Sequence, residues 1–289
     1  MSSLTSPGLI KATNDALIKS SPALNAVKLF SFDFGGDEQV GEWGQIVKVP
    51  VVSHGTISAF NLTSNDYETV DGGITYAPVA LSVQPKSTFE FTGMDILEAP
   101  NAPYWNKCAD SAADGVRGFI SEKFGELLVS GNGVSTISAL NTVTKSNLAK
   151  LRKECPAKPA STVLLCQPDV YADILALFDS SVLGTDGGNA VETGILPRLY
   201  GFKAILQVED MASDYKAALV DEGAIAFASR AVKVGDEGAY TEIGTVADEY
   251  GFPLTVMRHG AARTGCGYIN VTTLFGAAII QPSMIKLIV

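Results

Sequence analysis

The chain has few charged residues and only two histidines. Asp, Glu, Lys and Arg make up 18% of its 289 residues, hydrophobic residues make up 46%, and the mean hydropathy is +0.20. This composition is apolar for a monomer and typical of chains whose surface is partly covered by partners. No run of about twenty apolar residues occurs, so we expect no transmembrane helix. The first residues lack a basic segment followed by an apolar one, which predicts no signal peptide and a protein kept in the cytoplasm.

The cysteines lack the spacing of a metal site or of a disulfide scaffold. The sequence contains four of them, none in a CxxC pair: Cys108, Cys155, Cys166 and Cys266. Small domains held together by disulfides have a much higher density of cysteine. We interpret these residues as ordinary buried or half-buried thiols.

Positive charge is also scarce. The formal net charge is −10 and the isoelectric point is near 4.7. Tight, non-specific wrapping of DNA requires Lys and Arg side chains that displace counterions, so the composition argues against it. If the protein meets nucleic acid, we expect that it encloses the nucleic acid and does not grip it.

No motif of a known catalytic site is present. The sequence has no G-x-S-x-G element, no Walker loop and no dinucleotide-binding fingerprint. His54 and His259 lie in stretches that we predict to be loops, and neither has a metal-ligating neighbour at the required spacing. A monomeric α+β enzyme using His259 with Asp248 or Cys266 remains an open but weakly supported alternative.

Acidic residues are concentrated late in the chain, where a divalent-cation cluster is conceivable. The residues are Asp236, Glu237, Glu242, Asp248 and Glu249. Their spacing does not match a calcium-binding loop, so a solvated acidic edge is the favoured interpretation. We predict no metal and no cofactor.

Two β-branched runs predict a long two-stranded arm. The first run is Gly44–Val52, and the second is Tyr76–Val83, in which Val79, Leu81 and Val83 alternate with small residues. The intervening excursion of roughly twenty residues is far longer than an ordinary hairpin turn. An arm of this length has little of its own chain to pack on, so we expect it to rest on a neighbouring subunit.

A long amphipathic helix is predicted from about residue 103 to residue 130. Trp105, Ala112, Val116 and Ile120 fall on one face, and Arg117 falls on the polar face. Glycines at 115, 118 and 125 weaken such a helix, and we expect them where backbones approach closely. Further helices are predicted at 145–154 and 168–178. Strands are predicted at 162–166, 203–208, 217–220, 224–228, 231–234, 253–258 and 268–275, which together favour an α+β fold.

The order of these parts resembles the major capsid proteins of tailed bacteriophages, with the Hong Kong 97-like fold. No chemical motif carries the resemblance, which depends on the sequence order of the segments. They are Gly41–Pro50, Ala112–Leu128, Val163–Pro168, Tyr200–Ile205, Gly223–Ala228 and Phe275–Pro282.

The resemblance implies four structural parts. They are an N-terminal arm (1–40), an extended β-hairpin loop (41–80), a peripheral domain with a long spine helix (81–160 and 246–289) and an axial domain (161–245). Some similar proteins carry an N-terminal scaffolding segment, which is not evident here, so a separate scaffolding protein is expected. The loop also lacks a Lys between His54 and Val83 for a covalent cross-link.

The resemblance implies a structural role without enzymatic activity. Copies would form pentamers and hexamers and close into an icosahedral virion capsid around double-stranded DNA, assembled in the bacterial host cytoplasm. Portal protein and decoration protein are further expected partners, and no membrane is involved. An encapsulin-like nanocompartment shell with a protein cargo is the alternative that shares this fold.

The resemblance also directs attention to two sets of residues. The loop tip supplies candidates for contact between subunits: Asn65, Asp66, Tyr67, Glu68 and Asp71. Paired glycines supply hinge candidates that would let one sequence adopt different angles in pentamers and hexamers: Gly35, Gly36, Gly72 and Gly73.

Overall fold

A computed structural model gives the chain as a mixed structure of helices and strands. It describes residues 25–36, 39–52, 74–91, 102–129, 134–137, 142–177, 195–197, 201–208, 211, 214–234, 242–247, 251–261 and 266–289.

Four α-helices lie in the described ranges. They are α1 (Asn25–Lys28), α2 (Ala102–Leu127), α3 (Lys145–Glu154) and α4 (Pro168–Ala176). The three longer helices confirm the sequence prediction to within a few residues at each end. Their termini follow local chemistry: the Thr144 hydroxyl accepts a hydrogen bond from the Asn147 N–H at 3.2 Å, and α4 begins with proline. No helix in the described ranges is long and apolar enough to cross a membrane.

Helix α2 has 26 residues and is about 39 Å long at 1.5 Å per residue. Its buried face includes Ala112, Val116, Ile120 and Phe124, as the apolar spacing predicts. The polar assignment of Arg117 was wrong, because only 2% of this residue is exposed. Its guanidinium lies 3.6 Å from the carboxylate of Asp114, one turn earlier in the helix.

The predicted reason for the helix glycines was also wrong at two positions. A Cβ added to Gly118 would meet no atom within 4 Å, and one added to Gly115 would meet only the Ser87 hydroxyl, at 4.0 Å. No backbone approaches closely at either residue. The packing around α2 therefore does not require these two glycines.

Sixteen strands are assigned within the described residues. They are β1 (Ser31–Phe34), β2 (Val40–Gly41), β3 (Ile46–Val52), β4 (Ile74–Ala80), β5 (Lys86–Phe91), β6 (Ser135–Ile137), β7 (Thr162–Cys166), β8 (Ile195–Pro197), β9 (Ala204–Gln207), β10 (Ala217–Asp221), β11 (Ile225–Val232), β12 (Glu242–Ala247), β13 (Pro253–Ala261), β14 (Cys266–Thr272), β15 (Leu274–Ile279) and β16 (Ile285–Ile288). The two short strands predicted around residues 224–234 are one continuous strand, β11, because Ser229 and Arg230 continue the ladder.

A six-stranded sheet has the order β6-β16-β10-β7-β9-β8 and is covered on both faces. Successive residues of β7 alternate between two cores: Val163 and Leu165 face the core that contains α2, and Leu164 and Cys166 face the core that contains α3 and α4. This double burial explains why β7 is a continuous apolar run.

A second sheet has the order β12-β13-β14-β5 and is antiparallel throughout. Helix α2 packs on its strands β5 and β14 and also contacts β15. An aromatic cluster joins this core to the N-terminal segment. The ring centroid of Phe124 lies 5.5 Å from those of Phe30 and Phe227.

In a third sheet, β11 lies between β15 on one edge and both β1 and β2 on the other. The strands β3 and β4 form a separate two-stranded ribbon that packs over it. Residues 25–34, which fall in the predicted N-terminal arm, thus dock on their own chain through buried Val27 and Phe30.

Two of the sheets contain strands from more than one of the predicted parts. Strand β16, assigned to the peripheral domain, pairs with β10 inside the six-stranded sheet. Strand β11, assigned to the axial domain, pairs with β1 and β15. Both pairings join residues far apart in the chain, for which a single sequence carries no local signal. The four-part division itself stays a prediction.

Candidate assembly surface

The ribbon of β3 and β4 has one face buried on its own chain. Val47 pairs with Val79 and Val49 with Ala77, and their side chains pack with Ala226, Ala228 and Leu274 of the third sheet. The expectation that the arm rests on a neighbour was therefore wrong for its base. Alternation along both strands supplies a complete apolar face, and the sheet below is apolar at the facing positions.

The opposite face of the ribbon is exposed although it carries few polar groups. Three cross-strand pairs form it: Ile46 with Ala80, Lys48 with Pro78, and Pro50 with Tyr76. Ile46 is 63% exposed and Tyr76 is 64% exposed. Large apolar side chains held in a row on a rigid ribbon are a common mark of a contact surface.

A tight turn leading into the ribbon presents a tryptophan. The Gly44 N–H donates to Leu81 O at 2.9 Å, the Leu81 N–H donates to Gln45 O at 2.9 Å, and Gly44 has φ +79°. The turn leaves Trp43 64% exposed. A left-handed φ of this kind favours glycine, so the conformation that projects Trp43 depends on Gly44.

A groove of about 360 Å³ lies beside Trp43. Its walls include Gln84, Val232 and Leu274 together with an exposed ion pair between Lys233 and Glu42. The hydrogen bond from Lys233, with its positive charge, holds the pKa of the Glu42 carboxyl below its usual value, and the same contact raises the pKa of Lys233. Val40, which is 52% exposed, lines the adjoining part of the groove.

We call Val40, Trp43, Ile46, Pro50 and Tyr76 the apolar strip.

Arg230 fixes the segment that leads to the strip. Its Nη1 donates to Asp33 O at 2.9 Å and to Ser229 O at 2.8 Å, and its Nη2 donates to the Asp33 carboxylate at 2.9 Å. Its stem fills the space beside two glycines: a Cβ on Gly35 would lie 2.6 Å from Arg230 Cδ, and one on Gly41 would lie 2.7 Å from Arg230 Cβ. The position of β2 therefore depends on the Arg230 side chain.

The contact residues proposed from the sequence lie outside the described residues. This holds for Asn65, Asp66, Tyr67, Glu68 and Asp71, and for the hinge candidates Gly72 and Gly73. Of the other hinge candidates, Gly36 has φ +66° and its N–H donates to Gly251 O at 3.0 Å, while the Gly35 N–H donates to Ser229 O at 3.0 Å. The hinge role of all four glycines stays a prediction.

The apolar strip was missed by the sequence reasoning, which looked for contacts at the loop tip. The sequence does contain a signal for the ribbon part of the strip, because Ile46, Lys48 and Pro50 alternate with three valines. Apart from Lys48, both sets are apolar, so the pattern indicates a ribbon that is largely apolar on two faces. Only the structure shows which face its own chain covers.

The described residues form no assembled site for the enzymatic alternative. His259 lies in β13, so its predicted loop position was wrong. It pairs with Tyr268, whose ring stacks on the imidazole at 5.0 Å, and Asn270 Nδ2 donates to its Nδ1 at 3.4 Å. Cys266 pairs instead with Ala261, and Asp248 lies outside the described residues.

The acidic residues also give no site in the described part. Glu242 belongs to β12. Asp236, Glu237, Asp248 and Glu249 lie outside the described residues. Among the described residues, no group of three His, Cys, Asp or Glu side chains is arranged to hold a metal ion.

Solved structures resemble this chain over nearly its whole length. The capsid chain of an empty GTA particle is 14% identical, with coverage of 94% of this chain and 90% of that chain and a TM-score of 0.53. A virus-like particle chain from Pyrococcus furiosus is 13% identical, with coverage of 99% and 100% and a TM-score of 0.51. A chain from Gordonia phage Cozz is 13% identical, with coverage of 91% and 84% and a TM-score of 0.49.

No protein-family model and no curated protein sequence matches the chain. At these identities the structural likeness establishes the fold alone, and we assign it from the two structures with TM-scores above 0.5. The predicted mixture of helices and strands is confirmed at this level. The chain therefore has the fold of the GTA capsid chain and of the Pyrococcus furiosus virus-like particle chain, which confirms the predicted resemblance to a capsid protein at the level of the fold.

Proposed function

We propose that the chain is the major capsid protein of a tailed phage. Copies assemble through pentamers and hexamers into an icosahedral shell that encloses double-stranded DNA. The observation that carries this proposal is the likeness to the GTA capsid chain over 94% of this chain, with a TM-score of 0.53. In this role the protein is structural and not an enzyme, and it is a component of the virion capsid assembled in the bacterial host cytoplasm.

Helix α2 then serves as the spine of a peripheral domain, and the six-stranded sheet forms most of an axial domain. The ribbon of β3 and β4 is the base of the extended loop, with Asn65–Asp71 near its tip. A separate scaffolding protein, a portal protein and a decoration protein are the further partners that this role implies.

The apolar strip supports assembly from identical copies. Trp43, Ile46 and Tyr76 are each more than 60% exposed. The other face of the ribbon is already packed on the third sheet, so no part of the described chain covers these three side chains. Aromatic side chains are enriched where protein surfaces meet. Each contact between copies need only be weak, because a closed shell separates only when many contacts break together.

Light scattering after size-exclusion chromatography, with negative-stain microscopy, tests the proposal. The unassembled chain has a mass of 30.3 kDa, whereas capsomers and shells are many times larger. We expect particles from the full chain, expressed with its scaffolding protein where one is needed. A chain that stays at 30.3 kDa at every concentration, with and without that partner, would contradict a shell role.

A double variant tests the strip separately. Trp43→Ser with Tyr76→Ser removes two exposed rings without touching the buried face of the ribbon. Val289→Ser is the matched control, because it removes an exposed apolar side chain outside the strip. We expect the double variant to fold but to stop before closed shells, while the control assembles normally. Normal shells from the double variant would remove the strip from the assembly contacts and leave the shell role intact.

A nanocompartment shell is the second candidate, favoured by the likeness to the Pyrococcus furiosus virus-like particle over 99% of this chain. The contents of native particles separate the two functions. Nuclease-protected DNA supports the phage coat, and a protein cargo without nucleic acid supports the compartment.

A further inference from the structure

Helix α3 and the residues that follow it form an island of positive charge in an acidic chain. Residues 145–158 contain five basic residues and one acidic residue: Lys145, Lys150, Arg152, Lys153 and Lys158 against Glu154. The whole chain has 21 Lys and Arg against 31 Asp and Glu, so the remaining 275 residues hold 16 basic and 30 acidic side chains. The rest of the molecule thus carries the opposite sign.

The helix concentrates this charge on one face. Leu148 and Leu151 are fully buried under the helix, on the core beside the six-stranded sheet. The opposite face is exposed and is formed by Ser146, Ala149, Lys150 and Lys153, with Lys145 at its edge. Arg152 is also exposed, but it lies on the side of the helix next to Leu148. At 1.5 Å per residue, Lys145 and Lys153 are about 12 Å apart along the axis.

Lys150 and Lys153 are not neutralised by a carboxylate within the described chain. The helix carboxylate, Glu154, lies near the buried side of α3 and faces Lys286, whose Nζ is 3.4 Å from its Oε2. Within the described residues, no carboxylate lies at ion-pair distance from Lys150, Arg152 or Lys153. The guanidinium of Arg152 instead lies beside Gly201.

The chemistry of the face favours a nucleic-acid backbone over another protein. The cores of protein interfaces are enriched in aromatic residues and depleted in Lys, whereas this face has three lysines and no apolar group larger than Ala149. Interfaces with nucleic acid are polar and strongly positive. DNA has one phosphate per 3.4 Å of axis on each strand, so a face of about 12 Å spans several phosphates.

We propose that the exposed face of α3 contacts the phosphate backbone of the enclosed DNA and therefore faces the interior of the shell. This inference rests on the proposed shell function and adds the side of the molecule that meets the genome. Two to four contacts per copy are weak alone, in keeping with the net charge of −10, and they add up over the many copies of a shell.

A charge-matched pair of variants tests the contact. Lys150→Gln with Lys153→Gln removes two charges from α3, and Lys86→Gln with Lys216→Gln removes two exposed charges elsewhere. The probe is a fluorescent random-sequence duplex of about 30 base pairs, titrated with the full chain between about 20 and 200 mM NaCl. Chromatography fixes the assembly state of each sample, and circular dichroism confirms folding.

We expect the wild type to bind the duplex at low salt. The slope of log affinity against log salt should fall by about 1.8 per bound chain in the α3 variant, or about 0.9 for each lost phosphate contact. The control variant should keep the wild-type slope.

Two outcomes overturn the proposal: absence of duplex binding by the wild type at low salt, or an equal loss in both variants. A third outcome would also overturn the proposal: the α3 variant binds the duplex as the wild type does but no longer forms shells. That result would assign the face to a protein partner. In each of these cases, intact shells of the wild-type protein under the microscope would leave the proposed shell function standing.

Discussion

Arg230 and Asp33 form an ion pair across 197 residues of sequence, with Nη2 of Arg230 2.9 Å from Oδ2 of Asp33. Phe34 pairs with Ser229 and Val40 with Ala231, so Arg230 lies between the pairing of β1 with β11 and that of β2 with β11. The side chain of Arg230 thus fills the break between β1 and β2 and satisfies two backbone carbonyls there. The apolar strip begins immediately after this point, at Val40.

Arg230→Met should lower the free energy of unfolding by about 2–3 kcal/mol, because it removes hydrogen bonds to two buried or half-buried carbonyls as well as the ion pair. A fully buried pair would cost roughly 3–5 kcal/mol, but one third of the Asp33 side chain is exposed and solvent screens the attraction. Denaturant titration of the unassembled chain measures the change. The control is Lys233→Met, which breaks an exposed pair and should leave the midpoint unchanged; an equal effect of the two variants would contradict a special role for Arg230.

Gly276→Ala should displace the ribbon from the third sheet. An added Cβ would lie 2.2 Å from Ala80 O and 2.9 Å from Ala80 C, and backbone atoms of a paired strand cannot turn aside. We expect a clear loss of stability and faster proteolysis within residues 46–80. Limited proteolysis with mass spectrometry locates the change, and a wild-type cleavage pattern would disprove close packing of β4 on β15.

Gly118→Ala should have the opposite effect. The residue is exposed in the middle of α2, and its added Cβ would meet no atom within 4 Å. Alanine favours a helix interior over glycine by about 0.8–1 kcal/mol, so the free energy of unfolding should rise by that amount. Denaturant midpoints measured beside those of Gly276→Ala test both predictions, and a destabilised Gly118→Ala chain would mean that α2 packs against another surface there.

Stability should fall in alkaline solution. Burial raises the pKa of the Cys166 thiol far above its usual value, and it also raises the pKa values of Cys155 and Tyr171. Each group has a higher pKa in the folded than in the unfolded chain. Its contribution is therefore complete below the unfolded pKa and is lost as the pH rises above that value, which is about 9 for cysteine and about 10 for tyrosine. For the fully buried Cys166 the loss is up to about 1.36 kcal/mol per pH unit.

Cys166→Ala tests the largest of these effects. The variant should lose some stability at neutral pH through the small cavity that it creates, but its stability should decline less steeply than that of the wild type above about pH 9. Denaturant titrations of both chains over a pH series give the two slopes. Equal slopes would mean that Cys166 ionises as readily in the folded chain as in the unfolded one.

Gly72→Ala with Gly73→Ala should spoil shell size or closure, as the hinge hypothesis requires. Stiffer residues at the end of the loop would restrict the angles that one sequence adopts in pentamers and hexamers. Negative-stain microscopy of assembled material measures particle diameter. Gly260→Ala is the control, because its added Cβ meets no atom within 4 Å; normal particles from the double variant would refute the hinges.

Local patterns predicted several elements well. Helix α3 was predicted with its bounds, since Thr144 begins it and Pro156 follows it, and β7 was predicted from an unbroken apolar run. The strands β13 and β14 were also predicted, at 253–258 and 268–275. Each of these signals is contained within a short window of the chain.

The sequence did not predict how segments far apart in the chain lie relative to one another. The strand β16 ends the chain, yet it lies between β6 and β10 in the six-stranded sheet. Arg117 falls on the polar side of a helical wheel, yet the packing around α2 covers it. Neither outcome has a signal in neighbouring residues, because both depend on what another part of the chain places alongside.

The sequence by itself determined the mixed α+β class, the long helix α2, the two-stranded ribbon and the order of parts that resembles a capsid protein. It did so because hydrophobic period, caps and turn residues act over a few neighbouring positions. Only the tertiary structure decided which face of the ribbon its own sheet covers, and hence that Trp43, Ile46 and Tyr76 are left exposed. Both faces of the ribbon are largely apolar, so the choice between them depends on the fit of Val47, Val49 and Val79 to a sheet formed by residues far away in the chain.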